Sequence, residues 1–160
     1  MPKILITFKE LKIFMMYDIL LNLHSYLAYI VLAILILAVI NAIRGLFGNK
    51  MFTLEKDFRL SLFALILSHL QLLAGLVLYF VSPKGFKTIQ ELGMGGMSSL
   101  QRLLAVEHPF VNILAVIFIT IGWSKHKKIM EAKRKFKTIS IFYGLGLLLF
   151  LSRIPWSQWF

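Results

Sequence analysis

Three histidines lie inside apolar stretches of the sequence, where an ionisable side chain is costly and points to a functional role. They are His24, His69 and His108, whereas His126 lies in a basic segment and is expected to be solvated. Neutral imidazoles on two helices, at one depth, can supply both axial ligands of a b-type haem. His24 and His108 lie at similar depths in their stretches, so they are predicted as the pair that binds haem iron. His69, near the middle of its stretch, either replaces one of them if helix tilt shifts the depths, or binds a second group.

Polar side chains near His108 are candidates to support such a site. Glu107 precedes it and Asn112 follows one turn later on the same helix face, so both are predicted to lie around the ligands. Lys87, Arg102 and Arg153 are predicted on the same side of the membrane, where cations bind haem propionates, and the two arginines are the candidates for that role. Two alternatives are open: Arg102 pairs with Glu107 at the interface, or Glu107 and His108 handle protons, as suits quinone chemistry.

The composition excludes several other kinds of site. The chain has no cysteine, so a disulfide framework, a thiolate zinc site, an iron–sulfur cluster and a cysteine nucleophile are all excluded. No histidine pair has the i,i+4 spacing of a zinc-binding helix, although a metal site that includes Glu107 is an open alternative. For each membrane-embedded histidine, the simplest alternative is a hydrogen-bonded packing role. No catalytic residue is predicted.

The elements that must position these histidines are membrane helices. Of the 160 residues, 59% are hydrophobic and only 16% are charged, which leaves too little polar surface for a water-soluble globule. A helix needs about 20 apolar residues to cross a bilayer, and four runs qualify: 19–43, 60–81, 103–123 and 139–156. The prediction is an all-α bundle of four transmembrane helices that forms one domain, residues 16–160. Gly144 and Gly146 are predicted to permit close packing of the fourth helix.

The distribution of charge predicts the orientation of the bundle. The segment from Ser124 to Lys137 contains seven lysines and arginines and one acidic residue, Glu131. Because loops rich in lysine and arginine stay in the cytoplasm, this loop is predicted inside and both termini are predicted outside. The same cluster can contact anionic lipid, and a nucleic-acid partner is not expected.

Residues 1–15 allow two interpretations. Apolar side chains at helical spacing, such as Ile4, Phe8 and Leu11, indicate an amphipathic segment at the membrane interface. Alternatively, translation begins at Met15 or Met16, and the preceding residues are an extension.

Four motifs together resemble a family of small bacterial four-helix membrane proteins usually labelled cytochrome b-like. They are Leu23-His24-Ser25-Tyr26, Ser68 to Gly75 with Tyr79 to Pro83, Glu107-His108-Pro109 and Ile154-Pro155-Trp156. The resemblance covers nearly everything after Met16. It implies a b-type haem, electron transfer, and His24, His69 and His108 as candidate ligands. The chain has one histidine on each of three helices, unlike longer respiratory cytochromes b with two pairs on two helices.

Two functions follow from these patterns. The first is a haem b protein of the bacterial cytoplasmic membrane that transfers electrons, with quinone as one candidate partner. The alternative is a non-catalytic structural or assembly subunit of a larger membrane complex, respiratory or other. A transporter ranks last, because stretches such as Leu35 to Val39 and Leu114 to Ile119 offer no polar path.

Overall fold

The computed structural model describes residues 8–158, with the side chains of residues 15–158. Residues 1–7 of the predicted segment 1–15 lie outside this range, as do residues 159–160. Within it the chain is helical and has no β-strand, which confirms the predicted all-α class. Four stretches are long and apolar enough to cross a membrane: Met15–Phe47, Leu54–Leu92, Ser99–Lys127 and Ala132–Ser152.

The helices differ greatly in length. The four long ones are α1 (Phe8–Phe47), α2 (Arg59–Val81), α5 (His108–Lys127) and α6 (Ala132–Ser152), and the two short ones are α3 (Phe86–Leu92) and α4 (Ser99–Arg102). A π-helical turn at Leu54–Phe58 leads into α2, and another at Leu103–Glu107 joins α4 to α5. A 3₁₀ turn, Trp156–Gln158, follows α6.

Prolines mark three of the helix ends. α2 ends where Ser82 adopts an extended conformation, as is typical of a residue before proline. Pro109 lies in the first turn of α5, directly after the π-helical turn Leu103–Glu107, as expected where a proline without an N–H group interrupts the regular hydrogen bonds of a continuing helix. α6 ends at Ser152, shortly before Pro155, whereas the sequence analysis extended the fourth span to residue 156. It also begins at Ala132 rather than 139, because lysine and arginine are good helix formers.

Each long helix packs against two others: α1 against α2 and α6, and α5 against α2 and α6. The core contains many small side chains, including Ala38, Ala64 and Ala115, which let helices approach closely. A Cβ atom built on Gly146 would lie 2.7 Å from Ile119 Cγ1, whereas one on Gly144 meets nothing within 4 Å. The predicted role in close packing is therefore confirmed for Gly146 and wrong for Gly144.

Contacts between helices show that they alternate in direction. His24 of α1 contacts Gln71 of α2 and His108 of α5, and His108 contacts Arg153 after α6. We call this end of the bundle the histidine end. α1 begins at this end and α6 returns to it, so the two ends of the described chain lie on the same side of the bundle.

The opposite end, here called the aromatic end, is closed by aromatic rings. His126 is only 1% exposed and its ring centre lies 4.8 Å from that of Trp123 and 5.8 Å from that of Phe52. The expectation that His126 is solvated is therefore wrong. α5 continues through Lys127, so His126 falls one turn after Trp123 on the inner face of the same helix.

The connection before α2 is fastened by a buried carboxylate. Asp57 accepts hydrogen bonds from the side-chain amide of Asn41, 2.7 Å away, and from the main-chain N–H of Thr53, also at 2.7 Å. The Thr53 hydroxyl donates to it as well, at 2.9 Å. These bonds tie the aromatic end of α1 to the start of α2, and they help fix how the two helices align along their length.

Candidate functional site

His24 and His108 face each other inside the histidine end. Their ring centres are 6.2 Å apart, and the ring planes are nearly perpendicular, at 80°. His24 lies well inside α1, and His108 is the first residue of α5. The structure thus brings together the two histidines that the sequence analysis matched by depth.

The hydrogen bonds of His108 define which ring nitrogen carries its proton. Nδ1 lies 2.7 Å from the main-chain carbonyl oxygen of Arg153. A carbonyl only accepts, so Nδ1 is the protonated nitrogen and donates this bond. Nε2 is then an acceptor, and the side-chain amide of Asn112 donates to it at 3.0 Å. A histidine whose Nδ1–H donates to a main-chain carbonyl, and whose Nε2 carries the lone pair, is in the tautomer that a metal-ligating histidine adopts.

His24 is positioned by two residues of α2. The side-chain amide of Gln71 donates to the main-chain carbonyl of His24 at 2.9 Å and lies 3.2 Å from ring Nδ1. Gly75, one turn further along α2, faces the ring itself: a Cβ atom there would lie 2.9 Å from His24 Cε1. The His24 ring therefore occupies space that exists only because residue 75 has no side chain.

A cavity of about 400 Å³ surrounds the two histidines. Its walls are largely apolar, with Leu32, Leu72 and Phe150 among them, and its lining includes both histidines, Gln71 and Asn112. Its outer part is more polar and is lined by Tyr17, Asn22, Ser82, Lys84 and Gln158. Ligand pockets of about 300–1,000 Å³ commonly combine apolar walls with a few placed polar groups in this way.

Two buried amide oxygens in this lining lack a hydrogen-bond partner within the described part of the chain. They are Gln71 Oε1 and Asn112 Oδ1, each on a side chain that contacts one of the two histidines. An unpaired buried acceptor costs on the order of 1–3 kcal/mol. Unpaired buried groups of this kind often occur at functional sites.

Glu107 binds both of the arginines that were predicted to hold propionates. Its Oε1 lies 3.2 Å from Nε of Arg102, and its Oε2 lies 3.2 Å from Nε of Arg153. Neither arginine is part of the cavity lining. This matches the alternative in which Arg102 pairs with Glu107, and it extends that pairing to Arg153.

His69 lies apart from the other two histidines. Its Nδ1 is 2.8 Å from the carbonyl oxygen of Leu65, and its Nε2 is 3.4 Å from the Thr120 hydroxyl. It lines a smaller cavity of about 250 Å³ between α2 and α5. Nδ1 therefore donates to the Leu65 carbonyl, and Nε2 faces the Thr120 hydroxyl, which donates its own proton to the Val116 carbonyl at 2.7 Å. Among residues 15–158, no group of three or more acidic or histidine side chains is arranged to hold a metal ion.

Three residues of this site have no role in the prediction from sequence: Gln71, Gly75 and Lys84. Gln71 and Gly75 appear there only within the motif Ser68 to Gly75. Gln71 and Gly75 are four residues apart, which places them on one helix face. An amide side chain and a glycine on one face of an apolar helix were the pattern in the sequence that could have indicated a site there. No protein-family model, curated protein or solved structure matches the chain, so the site stands on its own geometry.

Proposed function

We propose that the chain binds one b-type haem between His24 and His108 and transfers electrons in the bacterial cytoplasmic membrane. The separation of the two rings carries this proposal. An imidazole nitrogen binds a transition metal such as zinc at about 2.0–2.1 Å. Two imidazoles on opposite sides of one ion therefore have ring centres roughly 6 Å apart, which compares with the observed 6.2 Å.

The chemistry of the residues around His24 and His108 also fits a haem. His108 is held in the tautomer that leaves Nε2 without a proton, as metal binding requires. The cavity is apolar around the histidines, as suits the face of a porphyrin, and it becomes polar towards its outer part, as suits carboxylates. The unpaired Gln71 Oε1 and Asn112 Oδ1 mark the same region as one prepared for a ligand.

The residues of the chain have distinct tasks in this proposal. The Arg153 carbonyl orients His108, and Gly75 leaves room for the His24 ring, while the apolar walls exclude water. When bound, the haem supplies a one-electron redox couple. His24 and His108 would together hold the iron of the group and leave no position open for a substrate, which favours electron transfer over catalysis.

The orientation in the membrane is part of the proposal. The basic residues at the end of α5, in the turn that follows it and at the start of α6 lie at the aromatic end, and by the positive-inside rule this favours a cytoplasmic position for that end. The histidine end, with the start of α1 and the end of α6, then faces outward. In this arrangement a haem held by His24 and His108 would exchange electrons with a partner at the outer leaflet, and a quinone is one candidate.

Absorption spectroscopy of the purified protein tests the proposal. We expect a Soret band, an α-band after reduction, and one haem per chain. Replacing His24 or His108 by Ala is expected to remove the six-coordinate spectrum, whereas the control His69→Ala is expected to keep it. A protein that is colourless when made in haem-replete cells, and that binds no added hemin, would contradict the proposal and favour the structural or assembly role.

A further inference from the structure

A lysine in the turn after α2 lines the outer part of the histidine cavity. Lys84 belongs to the cavity lining, its side chain is exposed, and it forms no ion pair with any residue in the described part of the chain. Lys87, three residues further along, differs in two of these properties: it pairs with Glu91 at 3.6 Å, and it does not line the cavity. Among the described side chains, Lys84 is thus a cation without an ion-pair partner, at the polar part of an otherwise apolar pocket.

Hydrogen bonds and close packing fix the backbone around Lys84. The main-chain N–H of Lys84 donates to the Ser82 hydroxyl at 3.0 Å, and the Thr88 hydroxyl donates to the Pro83 carbonyl at 2.9 Å. A side chain at Gly85 would collide with the main chain of Tyr79. The turn therefore packs directly on the end of α2 and holds the base of the Lys84 side chain beside the cavity.

The distance along α2 is suitable for a ligand that reaches from the histidines to this turn. Gly75 faces the His24 ring, and Val81 is the last residue of α2. Six residues of helix rise about 9 Å. A ligand of that length held between the histidines would have its outer end, with any carboxylates there, near this turn.

We infer that Lys84 binds a carboxylate of the cavity's ligand, in the proposed function a haem propionate. This inference rests on the proposed haem site. It assigns the contact with the propionate to Lys84 in place of Arg102 and Arg153. Both arginines already bind the Glu107 carboxylate and lie outside the cavity lining. The hydroxyl groups of Tyr17 and Ser82, which share the lining with Lys84, are available to donate to the same carboxylate.

A titration that compares two porphyrins tests the role of Lys84. Haem-free protein is titrated with hemin and with hemin dimethyl ester, whose carboxylates are blocked, and binding is followed in the Soret region. We expect the wild type to prefer hemin roughly three- to tenfold, as a partly exposed charge-assisted contact gives. Lys84→Met should remove this preference by weakening hemin alone, and Lys84→Arg should restore it. Lys87→Met is the matched control and should behave like the wild type.

The outcomes separate this inference from the proposal on which it rests. If neither porphyrin gives a six-coordinate spectrum with the wild type, the haem proposal and this inference both fail. If both porphyrins bind with that spectrum but Lys84→Met keeps the wild-type preference, only the inference fails. Loss of the preference in Arg102→Met or Arg153→Met, with Lys84→Met unaffected, would likewise overturn it and return the role to the arginines.

Discussion

The Nδ1 atom of His108 lies 2.7 Å from the main-chain carbonyl oxygen of Arg153, and this bond joins the start of α5 to the residue that follows α6. The Arg153 side chain turns back and binds Glu107, the residue just before His108. A hydrogen bond and an ion pair thus connect the start of α5 with the residue that follows α6. One orients the imidazole, and the other holds in place the backbone that provides the carbonyl.

Removing the charge of Glu107 tests the second contact. Glu107→Gln leaves Arg102 and Arg153 without their carboxylate, and we expect the free energy of unfolding to fall by about 1 kcal/mol in total, since exposed ion pairs contribute little. Unfolding in detergent at low and high salt measures this. Salt should reduce the stability of the wild type more than that of the variant. Equal salt dependence of the two would show that these ion pairs contribute nothing.

Asn112 is expected to oppose metal binding at His108. Its amide donates to Nε2, the nitrogen that the proposal assigns to iron, so the bond must break when haem binds. Asn112→Leu removes that bond and the unpaired Oδ1 while keeping a similar volume. We expect hemin affinity to stay equal or to rise by up to about fivefold, the worth of one ordinary hydrogen bond. Hemin titration measures this, and a marked loss of affinity would mean that Asn112 supports the bound state instead.

Gly75 is expected to control the position of the His24 ring. The Cβ atom of Gly75→Ala would lie 2.9 Å from His24 Cε1, so the ring must move. We expect a fully folded protein with hemin affinity lower by about tenfold, because a ligand displaced by a fraction of an ångström loses its alignment. Circular dichroism and hemin titration measure the two effects.

Gly144→Ala provides the matched control for this change. It makes the same substitution in a membrane helix, but at a position where the added Cβ meets nothing within 4 Å. We expect hemin affinity to be unchanged in this variant. If both variants weaken hemin equally, the effect comes from the helices in general and not from the contact with His24.

Single cysteines can test the orientation cleanly, because the natural chain contains none. Gly95→Cys lies between α3 and α4 at the histidine end, and Lys128→Cys lies at the aromatic end; both positions are exposed. We expect a membrane-impermeant maleimide to label Gly95→Cys in spheroplasts and to label Lys128→Cys only after lysis. The reverse pattern would place the histidine end in the cytoplasm.

The parts of the molecule that follow from counting along the chain were predictable. Hydropathy locates the four helices because lipid leaves no other way to pair the backbone, and the fixed rise per residue matches the depths of His24 and His108. What surrounds those histidines depends on how the helices are turned and how closely they pack. The contact of Gly75 with His24 and the capture of both arginines by Glu107 are of this kind. The burial of His126 was missed because α5 continues into a segment whose charges resemble those of a loop.

The closed aromatic end has an energetic consequence for the membrane. Phe136, Ile139 and Tyr143 are almost fully buried in the bundle beyond the cavity, and the cavity lies at the other end. In the proposed function, a redox centre held by His24 and His108 would therefore exchange electrons with its donor and its acceptor at the histidine end. Electrons that enter and leave at one end of the bundle would not cross the low-dielectric layer formed by the closed end. We therefore expect such a centre to pass electrons between partners along one leaflet without moving electronic charge across the membrane.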